Sequence, residues 1–266
     1  MRSTTVLLLL TLLGVPASAQ QTAPEPLFSA TDAAWGLGFL GSTALLAPVD
    51  HYFAEQLQRP GSQENRLLRK TAKGFELLGH PGALAGIAGA YAAGRITGDE
   101  GLAEVGLHAG AAFVLAEGIT YLTKLTIGRA RPYVDPDDSF NFGLLRGVRY
   151  DYASFPSGHT SAAFAVASAL TSETGLRPPS DQWWVGSLLY TTAALVGVSR
   201  MYNNQHWATD VVMGAAIGTF AGWKVVRYTH TRPGNDLDGI FLNFTVRPGT
   251  GMSLTVLPRA WSPLAH

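Results

Sequence analysis

Three short segments of the sequence place cationic, imidazole or hydroxyl side chains at the ends of apolar stretches. The first, KLTIGRARP, sets Lys124 and Arg131 seven residues apart, which is about two turns of a helix. Pro132 biases Arg131 away from helical geometry, so Arg131 can reach from a loop to the point that Lys124 reaches from a helix. Taken alone, the pair is more typical of a helix end, where cations complement the dipole.

The second segment is a Pro-Ser-Gly-His turn that leads into an apolar run of small residues, SFPSGHTSAAFAVASAL. A helix start presents unpaired N–H groups and the positive end of the dipole, and both attract anions. Ser157 can cap the helix or donate to a ligand, Gly158 lets backbone approach a ligand closely, and His159 follows. In isolation, a capped helix with an exposed histidine is the simpler interpretation.

The third segment, SRMYNNQHWATD, places His206 and Asp210 four residues apart, one turn along the face of a predicted helix. The carboxylate can accept a hydrogen bond from one imidazole nitrogen and leave the other as an oriented nucleophile or base. Arg200 adds a planar donor group that suits phosphate oxygens. Such a His–Asp pair alone is often only a helix-stabilising contact.

Together the segments read Lys-x6-Arg-Pro, Pro-Ser-Gly-His and Ser-Arg-x5-His-x3-Asp, separated by 23 and 39 residues. In order and spacing they resemble the three-part signature of the type 2 phosphatidic acid phosphatase family. Its superfamily includes bacterial class A acid phosphatases and vanadium haloperoxidases. The resemblance covers roughly Ala33 to Tyr228. It implies a phosphatase without metal or cofactor that hydrolyses phosphomonoesters or lipid-linked (di)phosphates, such as phosphatidate or isoprenoid diphosphate.

The resemblance also implies a role for each signature residue. His206 attacks phosphorus and becomes a phosphohistidine, and Asp210 orients its ring. His159 protonates the leaving oxygen and then activates water. The remaining signature groups hold the phosphate oxygens: Lys124, Arg131, Ser157, Gly158 and Arg200. Two alternatives stay open, a vanadate-dependent haloperoxidase and a non-catalytic, lipid-binding envelope protein.

Other polar residues belong to no motif. Glu117, one heptad before Lys124, is interpreted as its neighbour on the helix face or as a partner in a polar network. His80 and His108 are interpreted as lone histidines. A group of loop acids is interpreted as solvated turn residues, since Asp favours turns: Asp135, Asp137 and Asp138.

The N-terminal segment MRSTTVLLLLTLLGVPASAQ combines an early arginine, a short apolar run and an Ala-Ser-Ala site. It predicts a signal peptide over residues 1–19 and an exported protein of the periplasm or cell envelope. Lys plus Arg equals Asp plus Glu at 19 each, so no global basic charge points to nucleic acid as a partner. With no cysteine, thiol chemistry is excluded.

The composition, 47% hydrophobic and 14% charged, is more apolar than that of an average soluble domain. Uncharged windows such as Gln182–Ser199, 18 residues long, are short for membrane spans. We therefore favour an exported, packed bundle, with a membrane-embedded bundle as the alternative. The expected partner is a phosphate-containing small molecule or lipid, with possible membrane association.

Hydrophobic periodicity predicts an all-α domain over residues 33–230, a bundle of about six core helices, after a loose N-terminus at 20–32. Residues 130–156 are predicted to be a loop. Alternating apolar residues at 239–258, beginning with Ile240 and Leu242, predict an appended β-hairpin. The predicted helices are Thr31–Leu46, Ser62–Leu78, Pro81–Ile96, Gly101–Ile127, Thr160–Thr171, Gln182–Met201 and His206–Tyr228.

Overall fold

The computed structural model describes residues 26, 28–177, 179–232, 234–242, 244–246 and 252–254. The predicted signal peptide, residues 1–19, lies outside the described residues. The described chain is a helical bundle with a two-stranded hairpin appended, which confirms the predicted fold class. Its helices are α1 (Ala30–Leu45), α2 (Pro48–Gln58), α3 (Pro60–Gln63), α4 (Arg66–Leu78), α5 (His80–Thr97), α6 (Glu100–Thr126), α7 (Gly158–Leu176), α8 (Gln182–Tyr202), α9 (Ala208–His230) and α10 (Asp236–Phe241).

Local chemistry explains where several of these helices begin and end. The Asn65 side chain accepts hydrogen bonds from two backbone N–H groups at the start of α4, and Asp99 does the same for one N–H of α6. Each cap satisfies donors that the first helical turn leaves unpaired. Gly98 ends α5 at a φ of 76°, a left-handed conformation that glycine adopts without a Cβ clash.

Helix α7 lies at the centre and packs against α5, α6, α8 and α9. Its closest partner is α9, which presents Gly214, Gly218 and Gly222 along one face at intervals of four residues. A Cβ on Gly218 would lie 2.3 Å from the carbonyl oxygen of Ser161 on α7. The two backbones can approach this closely because α9 has no side chains at these glycines and α7 presents mostly small residues there, such as Ser161 and Ala165.

The core beside this contact is also built from small residues. Buried alanines of α6, α7 and α9 pack together with two valines of α9. Small side chains bring helix axes close together, and this brings the polar residues at the helix ends within reach of one another. The buried set is Ala109, Ala112, Ala116, Ala165, Ala169, Ala221, Val225 and Val226.

Helix α1 lies against α9 at the edge of the bundle. Lys224 Nζ of α9 donates to Asp32 Oδ2 of α1 at 2.7 Å, and the rings of Phe28 and Phe220 stack with centroids 6.2 Å apart. Since α1 begins at Ala30, the end of the predicted loose segment, 20–32, is helical.

Two antiparallel strand pairs accompany the helices. β1 (Ile127–Arg129) pairs with β2 (Phe142–Leu144), with Gly128 opposite Gly143. β2 lies within residues 130–156, which were predicted to be a loop. β3 (Phe244–Val246) pairs with β4 (Met252–Leu254), the predicted hairpin.

The predicted start of the hairpin is wrong. Ile240 belongs to α10 and Leu242 follows it in a turn, so the strand begins only at Phe244. Asn235 caps this short helix by accepting from Asp238 N at 3.0 Å, and Asp236 adds negative charge to its first turn. Capping and the helix dipole therefore outweigh the alternating apolar pattern in this stretch.

The outer faces of several helices are apolar. Within the described chain, α6 alone is long and apolar enough to cross a membrane, with a mean hydropathy of 1.4 over its best window and 33% of that window buried. Large exposed apolar side chains also occur on α1, α5 and α8. Representative residues are Trp35, Leu37, Leu84, Ile96, Val114, Leu122, Trp183 and Leu188.

The glycine face of α9 yields a stability prediction. Gly218→Ala should lower stability by about 1–3 kcal/mol, because the new methyl group meets backbone that cannot move without separating α7 from α9. Gly86→Ala is the matched control: a Cβ there meets nothing within 4 Å, and it should stabilise α5 by about 0.5–1 kcal/mol. Thermal unfolding midpoints measure both. Equal midpoints for the two variants would contradict this account of the packing.

Candidate active site

The predicted site residues gather where α6 and α8 end and where α7 and α9 begin. Lys124 Nζ donates to the carbonyl oxygens of Ala153 and Ser154, at 2.5 and 3.5 Å. The same Ser154 oxygen lies 2.7 Å from His206 Nδ1. A backbone hydrogen bond of 3.0 Å runs from Ser157 N to the carbonyl oxygen of Asp210. Segments that are distant in sequence thus meet through the chain around Ser154.

His206 is buried and precedes α9, which begins at Ala208. The prediction that His206 and Asp210 share a helix face is therefore wrong. Nδ1 is 3.6 Å from Asp210 Oδ2, and its hydrogen-bond acceptor is the Ser154 carbonyl. A carbonyl only accepts, so the proton sits on Nδ1. This leaves Nε2 with a free lone pair.

Asp210 is completely buried, and several donors surround its carboxylate. Oδ2 accepts from Ser154 Oγ at 2.5 Å and from Trp207 N at 2.8 Å, and Oδ1 accepts from Arg129 Nη1 at 2.5 Å. Burial alone would raise the pKa of Asp210, but the charge of Arg129 and the contacts from His206 and Ser154 bring it far below its ordinary value. Asp210 therefore remains an anion beside the His206 ring.

Arg129 is a residue of this site that the sequence analysis missed. Its second guanidinium nitrogen, Nη2, donates to Asp50 Oδ2 at 2.6 Å, and Asp50 in turn accepts from Thr209 N at 2.8 Å. Arg129 thereby joins α2, β1 and α9 beneath the histidine. One sequence signal existed: Arg129 and Arg131 stand two residues apart in GRARP, so a second arginine lay beside the one that the motif uses.

Arg131 lies in the loop after β1, as predicted. Its Nε donates to the carbonyl oxygen of Tyr150 at 2.9 Å, and its Nη1 donates to Gln205 Oε1 at 2.9 Å. The guanidinium also stacks on the Tyr150 ring, 4.2 Å from the centroid. These contacts hold the planar donor group of Arg131 beside the residue that precedes His206.

Arg200, at the end of α8, is buried and paired with Glu76 of α4. Arg200 Nη1 donates to Glu76 Oε1, and Asn203 Nδ2 donates to Glu76 Oε2 at 2.8 Å. Arg200 Nε is buried and has no hydrogen-bond partner within the described chain. An unpaired buried N–H is costly, so the site holds a donor suited to an incoming acceptor.

The Pro-Ser-Gly-His turn forms the start of α7. Ser157 occupies the cap position, but its hydroxyl exchanges a hydrogen bond of 2.9 Å with Thr160 Oγ1 and caps no backbone N–H. The helix begins at Gly158, so the N–H groups of its first turn are those that a helix leaves for caps or anions.

His159 is stacked against a second histidine. The ring centroids of His159 and His80 lie 4.5 Å apart, and His80 Nε2 is 3.0 Å from Glu117 Oε2. The interpretation of His80 as a lone histidine is therefore wrong, and Glu117 partners His80 rather than only neighbouring Lys124 along α6. Sequence spacing gave no signal for this, because the three residues come from different helices.

Both signature histidines are neutral at neutral pH. Burial, together with the positive charge of Arg200, lowers the pKa of His159 to about 3. Burial also lowers the pKa of His206 to about 3, with Asp210 opposing the shift and Lys124 adding to it. A concentration of cations around buried imidazoles explains both directions.

A cleft of about 370 Å³ opens over Arg200. Basic residues of α4, the predicted amphipathic helix, line one side, and the opposite side comes from the loop residues that hold Arg131. The lining consists of Arg69, Lys73, Glu76, Tyr150, Arg200, Asn203 and Gln205. The site is therefore open to solvent on a side that carries an excess of positive charge.

A family model matches the part of the chain that holds the predicted site. Residues 105–233 match the model of the PAP2 superfamily, and all the predicted site residues fall within that segment. This match confirms the resemblance drawn from the three motifs.

Two curated relatives are similar to parts of the chain. A lipid A 1-phosphatase of Porphyromonas gingivalis is 45% identical over 83 residues, which are 31% of this chain and 18% of that protein. An undecaprenyl-diphosphatase of Sulfolobus acidocaldarius is 30% identical over 130 residues, 49% of this chain and 58% of that protein. The chain thus spans less than two thirds of the length of each.

Two solved structures are also similar. One is a transmembrane PAP2 type phosphatidylglycerolphosphate phosphatase from Bacillus subtilis, with a TM-score of 0.47 and 21% identity over 71% of this chain and 93% of that one. The other is LpxE of Aquifex aeolicus, with a TM-score of 0.42 and 25% identity over 59% of this chain and 84% of that one.

Arg129 provides a test of the buried charge network. Arg129→Leu leaves the carboxylates of Asp50 and Asp210 buried without their shared cation, so it should cost about 3–5 kcal/mol of stability. The exposed Arg149→Gln control should change stability by less than about 0.5 kcal/mol. Denaturant unfolding at neutral pH measures both. A loss at Arg129 no larger than that of the control would contradict a role for Arg129 in holding the site.

Proposed function

We propose that this protein is a metal-independent phosphatase that hydrolyses lipid-linked phosphates through a phosphohistidine intermediate. One observation carries the proposal: the buried, neutral His206 keeps a lone pair on Nε2 and lies beside Lys124 and Arg131, while Arg200 lies beside His159. Burial lowers the pKa of Lys124 to about 7, and the charge of a phosphate dianion would favour its protonated form. A nucleophile needs that lone pair, and a phosphate dianion needs that charge.

In the proposed first step, His206 Nε2 forms a bond to phosphorus as the bond from phosphorus to the leaving oxygen breaks. The proton stays on Nδ1, where it is donated to the Ser154 carbonyl oxygen, and Asp210 stabilises the positive ring that develops. The cations and the first N–H groups of α7 hold the equatorial oxygens. Phosphoryl transfer depends mainly on such positioning and charge.

In this scheme His159 serves as the acid and must carry a proton, which burial and the nearby cations disfavour. The negative charge of a bound phosphate dianion would offset Arg200 and the other cations, and would therefore raise the pKa of His159. Substrate binding thus raises the proton affinity of His159 when a leaving oxygen needs a proton. In the second step, the neutral ring accepts a proton from the water that cleaves the phosphohistidine.

The two histidines can be tested separately. His206→Ala should abolish turnover, and His159→Ala should lower kcat by about 10²–10⁴-fold, the usual contribution of a general acid. With radiolabelled substrate, a rapid quench should trap an acid-labile, base-stable phosphoprotein in wild type and none in His206→Ala.

The matched control is Asp137→Asn, an exposed loop acid that should retain wild-type activity. Normal hydrolysis by His206→Ala would contradict the mechanism. Halide oxidation on addition of vanadate, without hydrolysis beforehand, would favour the haloperoxidase alternative. An inactive but folded wild-type protein across substrates and pH would favour the non-catalytic alternative.

Three features support a lipid as the substrate carrier. The curated relatives are named for a lipid A phosphate and an undecaprenyl diphosphate. The outer helix faces are apolar, and large exposed apolar areas mark surfaces that bind protein or membrane. The cleft adds Arg69 and Lys73 beyond Arg200, which suits a second phosphate or an acidic headgroup.

We therefore propose that the protein lies in the cell envelope with these apolar faces in contact with lipid. After cell fractionation and a carbonate wash, the protein should remain in the membrane pellet and hydrolyse phosphatidate or isoprenoid diphosphate in mixed micelles at least tenfold faster than para-nitrophenyl phosphate. Recovery in the soluble periplasmic fraction, with a preference for the soluble ester, would contradict both parts of this proposal.

A further inference from the structure

A second cluster of ionisable side chains lies at the other end of the bundle. His108 stands sixteen residues before Lys124 on α6, so about 24 Å of helix separates it from the phosphate site. Its ring is completely buried, contrary to its interpretation as a lone histidine, and its partners come from three other helices. The cluster consists of Glu104 and His108 of α6, Glu173 of α7, His230 of α9 and Asp238 of α10.

The geometry of His108 is that of a metal ligand with its supporting carboxylate. Nε2 lies 2.9 Å from Asp238 Oδ1, which places a proton on Nε2, and Nδ1 faces Glu173 Oε1 at 2.5 Å. Burial opposes a charge on this ring, but the hydrogen bonds to Asp238 and Glu173 raise the pKa of His108 to about 9. A metal ion bound here would take the place of the proton between Nδ1 and Glu173. Ligating histidines usually donate their other N–H to a carboxylate in this way.

Further ligand atoms converge on the same point. His230 Nε2 lies 3.0 Å from Glu173 Oε1, and one ligand atom from each of Glu104, His108 and His230 lies within 4.8 Å of the other two. Ligands around a tetrahedral zinc ion lie about 3.3 Å apart, from bond lengths of about 2.0–2.2 Å. Small side-chain movements would bring these four groups to that separation.

An unsatisfied group also points to a ligand. Glu173 is 1% exposed, yet its Oε2 accepts no hydrogen bond from any part of the chain that the structure describes. The nearest cation is Arg177, whose Nη2 lies 3.5 Å from that oxygen and 2.9 Å from Glu104 Oε2. A proton on His108 would satisfy only Nδ1 and Glu173 Oε1. A divalent cation would satisfy Glu173 and Glu104 together.

We propose that this cluster binds one divalent transition metal ion, best matched by Zn²⁺. The ligands are His108 Nδ1, His230 Nε2, Glu173 and Glu104, and Asp238 orients His108. Imidazole and carboxylate donors in a four-ligand set favour zinc over calcium or magnesium. The ion would join α6, α7 and α9 at the end of the bundle opposite the phosphate site. It takes no part in the proposed hydrolysis.

The test uses the full-length protein purified without a histidine tag, stripped with EDTA and dialysed against buffer. Zinc titration, followed by elemental analysis of the protein after desalting, should give one Zn²⁺ per chain. Cobalt added instead should produce the strong visible absorption of a tetrahedral site. Less than 0.2 zinc per chain at tenfold excess would overturn the proposal.

Variants separate a metal site from a network of ion pairs alone. Glu104→Gln, at a half-buried ligand, should weaken zinc binding at least 100-fold without unfolding the protein. Asp238→Asn should weaken it about 10- to 100-fold, as loss of a supporting carboxylate does. His51→Ala removes a histidine from α2, at the opposite end of the bundle, and should retain wild-type affinity.

Arg177→Gln gives the sharpest contrast, since Arg177 competes with the metal for Glu104 and Glu173. Zinc affinity should rise about tenfold in this variant, and zinc should raise its unfolding midpoint more than that of wild type. Unchanged zinc affinity in Arg177→Gln, Glu104→Gln and Asp238→Asn alike would overturn the assignment of these ligands.

Discussion

The structure depends on a carboxylate that must stay charged where no water reaches it. Asp210 is fully buried, and an isolated charge there would be costly. Arg129 offsets the cost of burying this charge, because its guanidinium pairs with Asp210 through Nη1 and with Asp50 through Nη2. Since each of these residues belongs to a different element, neutralising one charge fixes α2, β1 and the start of α9 relative to one another. The position of His206 follows from that arrangement.

Two opposing electrostatic demands meet in the proposed phosphate site. Burial and the cations that would hold a phosphate disfavour protons on His159 and His206, so the site holds neutral rings beside positive charge. The helices can deliver these groups to one point only because α7 and α9 pack with almost no side chain between them. Small residues in the core are thus a condition for the chemistry at the helix ends.

The longer helices and the three motifs could be predicted from the sequence, because apolar periodicity and short-range spacing are local properties. The shorter helices α2 and α10 were not predicted. His206 was misplaced on a helix since an i,i+4 spacing does not reveal that the helix starts two residues later. The partners of His80 and the cluster around His108 could not be found, because their contacts join helices far apart in sequence. Arg129 was missed because its motif assigned the phosphate contact to Arg131.

The ion pair between Arg200 and Glu76 means that the proposed phosphate site already contains an anion. A ligand that pairs with Arg200 would replace a carboxylate held on α4, and that carboxylate would regain hydration by moving into the cleft. Such an exchange favours a ligand that carries more negative charge, or offers more acceptor atoms, than the carboxylate it displaces. In the proposed function, the pair therefore sets a charge threshold that favours a phosphate dianion over a singly charged carboxylate.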